Sequence, residues 1–302
     1  MQRSLYYFGL HTLLKRLSSN CNQYPHIQNE LKNVESGDYG EQYVTELLQT
    51  QFQHQVTVLS NIFIGSSQID CIVLTPYFCV VLEVKNIKGH IAIRKAPRQM
   101  IREIDENKDV FQSPEVQLER SEIELNRLFA KHKIELPIFS AVLFPFHTSI
   151  IQNESKQYPV LMGKEVLNYI HLLPSTKMFI NPAEVASILQ KQSDPWHRFP
   201  LCDYYNINPS FLQTGVECRK CGTIPMLRTR RTWKCMRCGV TGRVAHVQAI
   251  REYYVLFSNV MTNRECVAFL HLRNRQEATR ILKSIGLERE GVKRNSIYKL
   301  QL

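Results

Sequence analysis

A short apolar stretch of the chain carries three charged side chains. Residues 69–86, IDCIVLTPYFCVVLEVKN, contain Asp70, Glu83 and Lys85 among residues that otherwise suit buried strands. Pro76 marks a turn, which predicts that the strands before and after it pair antiparallel. Pairing about this turn sets Asp70 directly across from Glu83. Lys85, two residues further along the strand, then points to the same face.

Two opposed carboxylates beside an amine indicate a site for a divalent cation. Carboxylates about 5 Å apart repel each other, and burial next to apolar residues raises that cost. A divalent cation turns the repulsion into attraction, and carboxylate oxygens favour Mg²⁺ or Mn²⁺ over Zn²⁺. The alternative is an ordinary ion pair of Lys85 on a solvent-exposed face. The apolar residues that flank both acids favour the metal site.

The spacing of these residues resembles that of a known nuclease family. Asp70, twelve further residues and then Glu83-Val84-Lys85 resemble the signature of the PD-(D/E)xK nuclease superfamily. More narrowly, GDYGEQYVTELL, QIDCIVL, LEVKNIKGHI and SPEVQLERSEIELNRL, in this order, resemble the nuclease-related domain called NERD. The resemblance covers roughly residues 35–150. It implies an α/β fold, a nuclease-like sandwich with a central mixed sheet flanked by helices.

The resemblance also implies a role for each residue of the hairpin. Asp70 and Glu83 would hold the catalytic Mg²⁺ or Mn²⁺, helped by the backbone carbonyl of Val84. Lys85 would orient or deprotonate the attacking water and stabilise the charge that develops on the phosphorus centre. The implied reaction is in-line attack of water on a phosphodiester, in which the metal lowers the pKa of the water and neutralises the leaving oxygen.

Two further residues acquire roles from the resemblance. Glu41, on the first helix of the domain, would face the metal site, and Gln117, on the helix after the hairpin, would brace the site or contact the scissile phosphate. Each has a simpler interpretation. Glu41 suits an exposed acid in the first turn of a helix that begins after Gly37 with Asp38 as N-cap. Gln117 suits an ordinary helix surface.

Two C-x-x-C pairs predict a second metal centre. The ligands are Cys218, Cys221, Cys235 and Cys238, and a glycine follows each pair. Four thiolates select Zn²⁺ in a closed tetrahedral site, so this zinc is expected to be structural rather than catalytic. Redox chemistry of the C-x-x-C pairs is the alternative. Between the pairs, RTRRTW forms a basic loop in which Arg230 and Arg231 would contact phosphates or only aid solubility.

The last third of the chain holds the whole basic excess. Residues 216–302 carry 18 Lys and Arg against six Glu, whereas the first 215 residues carry 20 basic and 21 acidic residues. Two helix starts, at Thr262 and Asn274, each have Glu three residues later and predict a helix-turn-helix. EREGVKRNSIYKL then resembles the wing of winged-helix DNA-binding domains. From this resemblance we predict that six residues contact DNA: Arg273, Arg275, Arg280, Lys283, Lys293 and Arg294. A helical packing module is the alternative.

Composition and patterning divide the chain into five expected segments. These are an N-terminal helical segment (1–36), a NERD-like domain (37–192), a linker (193–215), a zinc ribbon (216–243) and a winged-helix-like domain (244–302). The N-terminus reads as an amphipathic helix rather than a signal peptide, and no segment is apolar enough to span a membrane. Nine cysteines without a secretory signal indicate a reducing compartment, the cytoplasm.

These features together predict a Mg²⁺-dependent deoxyribonuclease with a zinc-stabilised, DNA-binding tail. The competing hypothesis is a DNA-binding or regulatory protein that keeps the nuclease fold and cuts nothing by itself. A cysteine hydrolase is disfavoured because the chain has no nucleophile elbow. The sequence leaves open DNA against RNA, sequence specificity, one or two catalytic ions, homo-oligomer formation and biological setting.

Overall fold

The computed structural model describes residues 4–175, 178, 180–194, 198–291 and 296–300. Contacts divide the chain into two units, one of Met1–Lys32 with Trp196–Leu302 and one of Asn33–Pro195. The helices of the chain are α1 (Leu5–Arg16), α2 (Tyr24–Phe52), α3 (Pro114–His132), α4 (Glu165–Leu172), α5 (Pro182–Gln192), α6 (Leu201–Tyr204), α7 (Ala245–Leu256), α8 (Asn263–Leu270) and α9 (Arg275–Ser284). Within the described residues, no helix is both long enough and apolar enough to cross a membrane.

The unit Asn33–Pro195 is built on a mixed sheet of five strands. They are β1 (Thr57–Ile64), β2 (Ser67–Leu74), β3 (Cys79–Val84), β7 (Ile138–Phe144) and β9 (Val160–Met162), in the order β1-β2-β3-β7-β9. The first three pair antiparallel, whereas β3, β7 and β9 run parallel. Strand β3 is buried along its whole length, as expected for a strand covered on both faces.

Helices cover both faces of this sheet. Leu118 and Leu125 of α3 and Val185 of α5 belong to the core on one face. Val44 of α2 and Val166 of α4 belong to the core on the other face. The predicted α/β sandwich with a central mixed sheet is therefore confirmed.

A second sheet of four strands was not predicted from the sequence. It consists of β4 (Gly89–Ile93), β5 (Gln99–Ile104), β6 (Asn107–Gln112) and β8 (Ser149–Asn153), in the order β6-β5-β4-β8. Most of β6 is exposed to solvent, so its residues lack the apolar alternation by which a strand is recognised. Ile91, Ile93 and Met100 nevertheless join the core beneath the central sheet.

The expected start of the first helix of the domain was wrong. Instead of beginning after Gly37 with Asp38 as N-cap, α2 runs unbroken from Tyr24 to Phe52. A glycine inside a helix costs only about 1 kcal/mol, which tertiary packing can override. Packing is tight one turn later, because a Cβ added to Gly40 would lie 2.6 Å from Cβ of Asn86. This close approach holds α2 against the chain that follows β3.

The other unit combines the cysteine pairs, the basic tail and the N-terminal helix. Its strands are β10 (Leu227–Arg228), β11 (Trp233–Lys234), β12 (Thr241–Gly242), β13 (Val260–Thr262), β14 (Glu288–Glu290) and β15 (Ile297–Lys299). The elements α7-β13-α8-α9-β14-β15, with a sheet in the order β13-β15-β14, form a helix-turn-helix followed by a hairpin. The predicted winged-helix-like fold and its two helix starts are present, with a full capping box at Thr262 and an N-cap at Asn274.

A buried ion pair attaches α1 to this unit. Arg16 and Glu252 have fully buried side chains, and Arg16 Nη2 lies 2.5 Å from Glu252 Oε2. Arg16 also donates to the carbonyl oxygens of Gln213, at 2.8 Å, and Gly215, at 3.0 Å. Lys15 Nζ donates to the second oxygen of Glu252 at 2.7 Å. These contacts pack α1 against α7. The five-segment division, in which the N-terminal segment stands alone, remains a prediction.

Candidate active site and metal centre

The hairpin of β2 and β3 has the register that the turn at Pro76 predicts. Its pairs run from Leu74 with Cys79 to Cys71 with Leu82, and the same offset sets Asp70 across from Glu83. At the open end, Oδ2 of Asp70 accepts a hydrogen bond from the backbone N–H of Val84 at 2.9 Å. The aspartate is therefore tied to the strand that carries the glutamate and the lysine.

Glu83 and Lys85 lie in direct contact. Lys85 Nζ donates to Oε1 of Glu83 at 2.5 Å. The glutamate side chain is 4% exposed and that of the lysine 19%, so this ion pair is largely shielded from water. The backbone N–H of Lys85 donates to the carbonyl of Leu143 at 2.9 Å, which holds the end of β3 against β7.

The electrostatics of the hairpin are those of crowded acids. Burial raises the pKa of Asp70 well above its usual range, and the nearby charges of Glu83 and Glu41 raise it further. Lys85 and the Val84 N–H oppose this shift without cancelling it. Burial alone would lower the pKa of Lys85, but Glu83 and Asp70 outweigh burial and raise it. Lys85 is therefore positively charged at neutral pH. Its charge does not bring the pKa of Asp70 back to the usual range.

Glu41 belongs to the same electrostatic cluster. It lies within α2, 9% exposed, and not in a first turn, so the helix-terminus interpretation of this acid does not hold. Burial raises its pKa to about 7, and Asp38 and Glu83 contribute to that shift. Lys85 lowers the same pKa, which indicates that the glutamate lies near the hairpin charges.

Asn61 and Gln68 are part of this site, although no sequence motif marks them. Asn61 Nδ2 donates to Oε2 of Glu41 at 2.6 Å, and Gln68 Nε2 donates to Oδ1 of Asn61 at 2.9 Å. Asn61 has a φ of +54°, the left-handed region that asparagine tolerates better than most residues. The polar Asn61 inside the mostly apolar stretch VLSNIFI is the sequence feature that could have indicated a site residue here.

Gln117 lies toward the same end of the sheet. A short loop joins the end of α3 to the start of β7, which runs parallel to β3. The first turns of α3 therefore lie near the ends of β3 and β7, where Lys85 follows β3. Gln117 is half-buried there. Its proposed contact with phosphate remains a prediction.

The match to a known family covers this whole arrangement. Residues 36–145 match the family model described as nuclease-related domain, NERD. Residues 36–145 are a nuclease-related domain. The resemblance drawn from the four motifs is thereby confirmed. No match to the chain was found among curated proteins or among solved structures. The nuclease-related domain indicates a nuclease-related function, nucleic-acid binding and use of a divalent metal.

The oxygen groups of the nuclease-related domain suit a hard cation. Asp70 and Glu83 offer two carboxylates from adjacent strands. Burial raises the pKa of Asp70, and the charges of Glu83 and Glu41, which a cation would offset, raise it further. The Val84 carbonyl and water would complete the coordination, since Mg²⁺ in proteins usually keeps several waters. Among the described residues, the four cysteines are the one group of three or more Cys, His, Asp or Glu side chains whose ligand atoms lie close enough together to hold a metal ion.

The four cysteines form a compact sulfur cluster outside the nuclease-related domain. The Sγ atoms of Cys218, Cys221, Cys235 and Cys238 all lie within 4.8 Å of one another. Gly222 and Gly239 have φ of +70° and +72°, so each glycine allows the turn that closes its pair. A hydrogen bond from Thr223 lowers the pKa of Cys221 to about 6. Cysteine clusters of this kind hold zinc as thiolates, and the geometry fits that ion.

The predicted DNA contacts lie on exposed surfaces where the structure describes them. Arg230 and Arg231 are exposed at the turn between β10 and β11. The other exposed residues are on and before α9: Arg273, Arg275, Arg280 and Lys283. Lys293 and Arg294 lie outside the described residues. Cys71 and Cys79, on β2 and β3, are buried thiols outside the four-cysteine cluster.

Proposed function

We propose that the chain is a Mg²⁺- or Mn²⁺-dependent nuclease that hydrolyses phosphodiester bonds of DNA. The observation that supports this most is the convergence of Asp70, Glu83 and Lys85 at the open end of one hairpin. Two carboxylates and an amine in this arrangement can hold a hard cation and act on a phosphate ester. Glu41 and Asp70 supply a reason for the cation, since burial and the charges of neighbouring carboxylates raise the pKa of both acids.

The residues of the hairpin would have different roles in hydrolysis. When bound, the divalent ion acts as a Lewis acid that polarises phosphate and lowers the pKa of water. Asp70 and Glu83, on the neighbouring strands β2 and β3, would hold that ion. Lys85 keeps its proton at neutral pH, so its ammonium stabilises the negative charge that develops on the phosphate oxygens. Glu41, with a pKa of about 7, can exchange a proton near the reacting water.

The second unit would bring DNA to this site. Zn²⁺ at the four cysteines would stabilise the fold without taking part in the reaction, because four thiolates leave no open coordination position. The exposed arginines and lysines of the helix-turn-helix would contact phosphates and base edges. The concentration of positive charge in residues 216–302 supports a polyanionic partner.

One observation favours a second candidate, a DNA-binding protein that does not cut. Glu83 is paired with Lys85, and Asp70 accepts a hydrogen bond from the Val84 N–H. These contacts partly satisfy both acids, so a purely structural hairpin is chemically reasonable. Such a protein would bind DNA and zinc but would show no Mg²⁺-linked change.

A cleavage assay with matched variants separates the two candidates. Plasmid and linear DNA, with RNA in parallel, are incubated with the protein and Mg²⁺ or Mn²⁺. Asp70→Asn and Lys85→Ala are each expected to slow cleavage by roughly 100-fold or more, because the first weakens the cation site and the second removes the positive charge at the reacting phosphate. Lys131→Ala, an exposed lysine near the other end of α3, is the control and is expected to cleave normally.

Two results would refute the assigned site. One is cleavage that survives both Asp70→Asn and Lys85→Ala. The other is a folded wild-type protein that binds DNA but, by calorimetric titration with Mn²⁺, takes up no ion that Asp70→Asn removes. The second result would favour the non-cutting protein.

A further inference from the structure

A salt bridge connects the four-cysteine ribbon, residues 216–243, to the start of α9. Arg228, the last residue of β10, donates from Nε to Oε1 of Glu277 at 2.8 Å. Both side chains are largely buried, at 14% and 15% exposed. Glu277 lies in the first turn of α9, where its backbone N–H donates to Oδ1 of Asn274 at 2.9 Å. The ribbon therefore contacts the helix at its N-terminal turn.

Arg228 is also held firmly on the ribbon side. Its guanidinium carbon lies 5.0 Å from the ring centroid of Trp233, a residue with no exposed surface. Trp233 Nε1 donates to Nδ1 of His246 on α7 at 3.1 Å. Burial and the nearby Arg228 charge lower the pKa of His246, which keeps that nitrogen free to accept. Arg228 is thus a packed connection between the ribbon and the helices.

The tip of the ribbon hairpin lies close to this connection. Arg230 and Arg231 form the turn, which is closed by a hydrogen bond from the Thr229 N–H to the Thr232 carbonyl at 2.9 Å. Two or three residues span at most about 10 Å, so the tip arginines lie near Arg228 and hence near the start of α9. In helix-turn-helix proteins, the N-terminal residues of the second helix contact base edges.

We propose that the ribbon tip and α9 form one composite surface for duplex DNA, with Arg228 as a positioning residue. This inference rests on the proposed DNA targeting and adds how the targeting surface is assembled. The start of α9 enters the major groove, which is about 12 Å wide, while Arg230 and Arg231 contact the phosphates at its edge. Arg228 fixes the distance between these two elements. It also neutralises Glu277, whose charge would otherwise repel phosphates near the helix start.

The salt dependence of DNA binding tests this surface directly. Fluorescence anisotropy with a labelled duplex, without added Mg²⁺ or Mn²⁺, is measured from 50 to 300 mM salt. Arg230→Ala/Arg231→Ala is expected to reduce the slope of log Kobs against log salt by about 1.8, because each lost phosphate contact removes about 0.9. The affinity near 0.15 M salt falls by roughly 30-fold for the same reason. Arg219→Ala/Lys220→Ala removes the same charge at the exposed cysteine end of the ribbon and is expected to change the slope by less than 0.5.

A second variant tests the positioning role. Arg228→Met keeps a similar length of apolar side chain but loses the contact with Glu277. If Arg228 positions the ribbon against α9, this variant loses the tip contacts too, and its slope falls by as much as that of the double variant. Adding Arg230→Ala/Arg231→Ala to Arg228→Met then changes the slope little further. If Arg228 and the tip arginines acted independently, the two changes in slope would instead add.

The possible outcomes are distinguishable. A wild-type protein that fails to bind any duplex refutes the proposed targeting itself. Wild-type binding with equal slopes for the tip variant and its control refutes only the composite surface. If adding Arg230→Ala/Arg231→Ala to Arg228→Met lowers the salt slope as much as it does in the wild type, the positioning role is refuted. The tip variant changes two exposed residues, so the test of the surface remains valid even if Arg228→Met does not fold.

Discussion

At the scale of single residues, the acids of the site differ from surface acids in their shared environment. Glu41 and Asp70 are each influenced by Glu83, and burial raises the pKa of both. Lys85 and the side chain of Asn61 oppose the shift in Glu41 only in part. The folded protein therefore holds protons that an unfolded chain would have released. Its stability must depend on pH in consequence.

Glu41→Gln is expected to remove part of that dependence. The pKa of Glu41 rises from its usual 4.5 to about 7 on folding. Between these values the folded state binds more protons than the unfolded state, so the free energy of unfolding falls as pH rises. Without added metal, Glu41→Gln should match the wild type near pH 4.5 and exceed its stability by about 2–3 kcal/mol at pH 8. Urea unfolding at both pH values measures this.

A matched control is available on the same helix. Glu46 is an exposed acid of α2, and Glu46→Gln should shift stability by less than about 0.5 kcal/mol at either pH. If the difference between Glu41→Gln and the wild type is the same at pH 4.5 and pH 8, the raised pKa is not a property of the folded protein.

The residues of the site were predictable from sequence to different degrees. Asp70 and Glu83 follow from a turn proline and a period of two, since local geometry alone sets the register of a hairpin. Asn61 and Gln68 were missed because their role depends on a left-handed backbone angle and on the approach of α2. Neither of those features leaves a periodic pattern in the sequence.

At the scale of elements, the predictions held where a helix or strand carries its own start and stop signals. The predicted helix starts at Thr262 and Asn274 were correct because each cap is a local contact: the side chain accepts a hydrogen bond from the backbone N–H three residues later. The start of α2 was wrong because packing overrides the helix preferences of Gly37 and Asp38. The partner of Arg16 lies 236 residues away, and no local pattern encodes it.

The attachment of α1 can be tested through that partner. Arg16→Met leaves the buried Glu252 with hydrogen bonds from Lys15 and Gln248 but without its buried cation, and the free energy of unfolding is expected to fall by roughly 3 kcal/mol or more. Lys15→Met removes a partner whose side chain is 21% exposed, and the expected loss is about 1 kcal/mol. Urea unfolding monitored by circular dichroism compares the two variants. Equal losses would mean that the buried pair contributes no more than the outer lysine.

At the scale of the whole molecule, the two units have separate cores and different chemistry. The nuclease-related domain places its residues in the cores around the central sheet. The other unit shares one core between the ribbon and the helices, in which Cys218, Trp233, Tyr254 and Tyr298 all take part. Loss of metal from the cysteines should therefore affect the helices as well as the ribbon.

If the four cysteines hold zinc as proposed, its removal is expected to unfold more than the ribbon. A zinc-selective chelator should abolish one of two calorimetric transitions and reduce the helical circular dichroism signal, because metal binding and folding are coupled in such sites. The second transition, that of the nuclease-related domain, should keep its midpoint. Metal content is measured by mass spectrometry. Cys266→Ser, at a buried cysteine outside the cluster, serves as the control and should retain bound zinc.

The ion pair between Arg16 and Glu252 has a consequence for synthesis on the ribosome. The two residues are separated by 236 positions, and the entire nuclease-related domain is made between them. At about 5–20 residues per second, the N-terminal helix waits roughly 10–50 s before its glutamate emerges. During that interval the nuclease-related domain can fold first, while α1 still exposes the apolar side that Leu10 and Leu13 later bury. Early chain release would leave that helix without a place to dock.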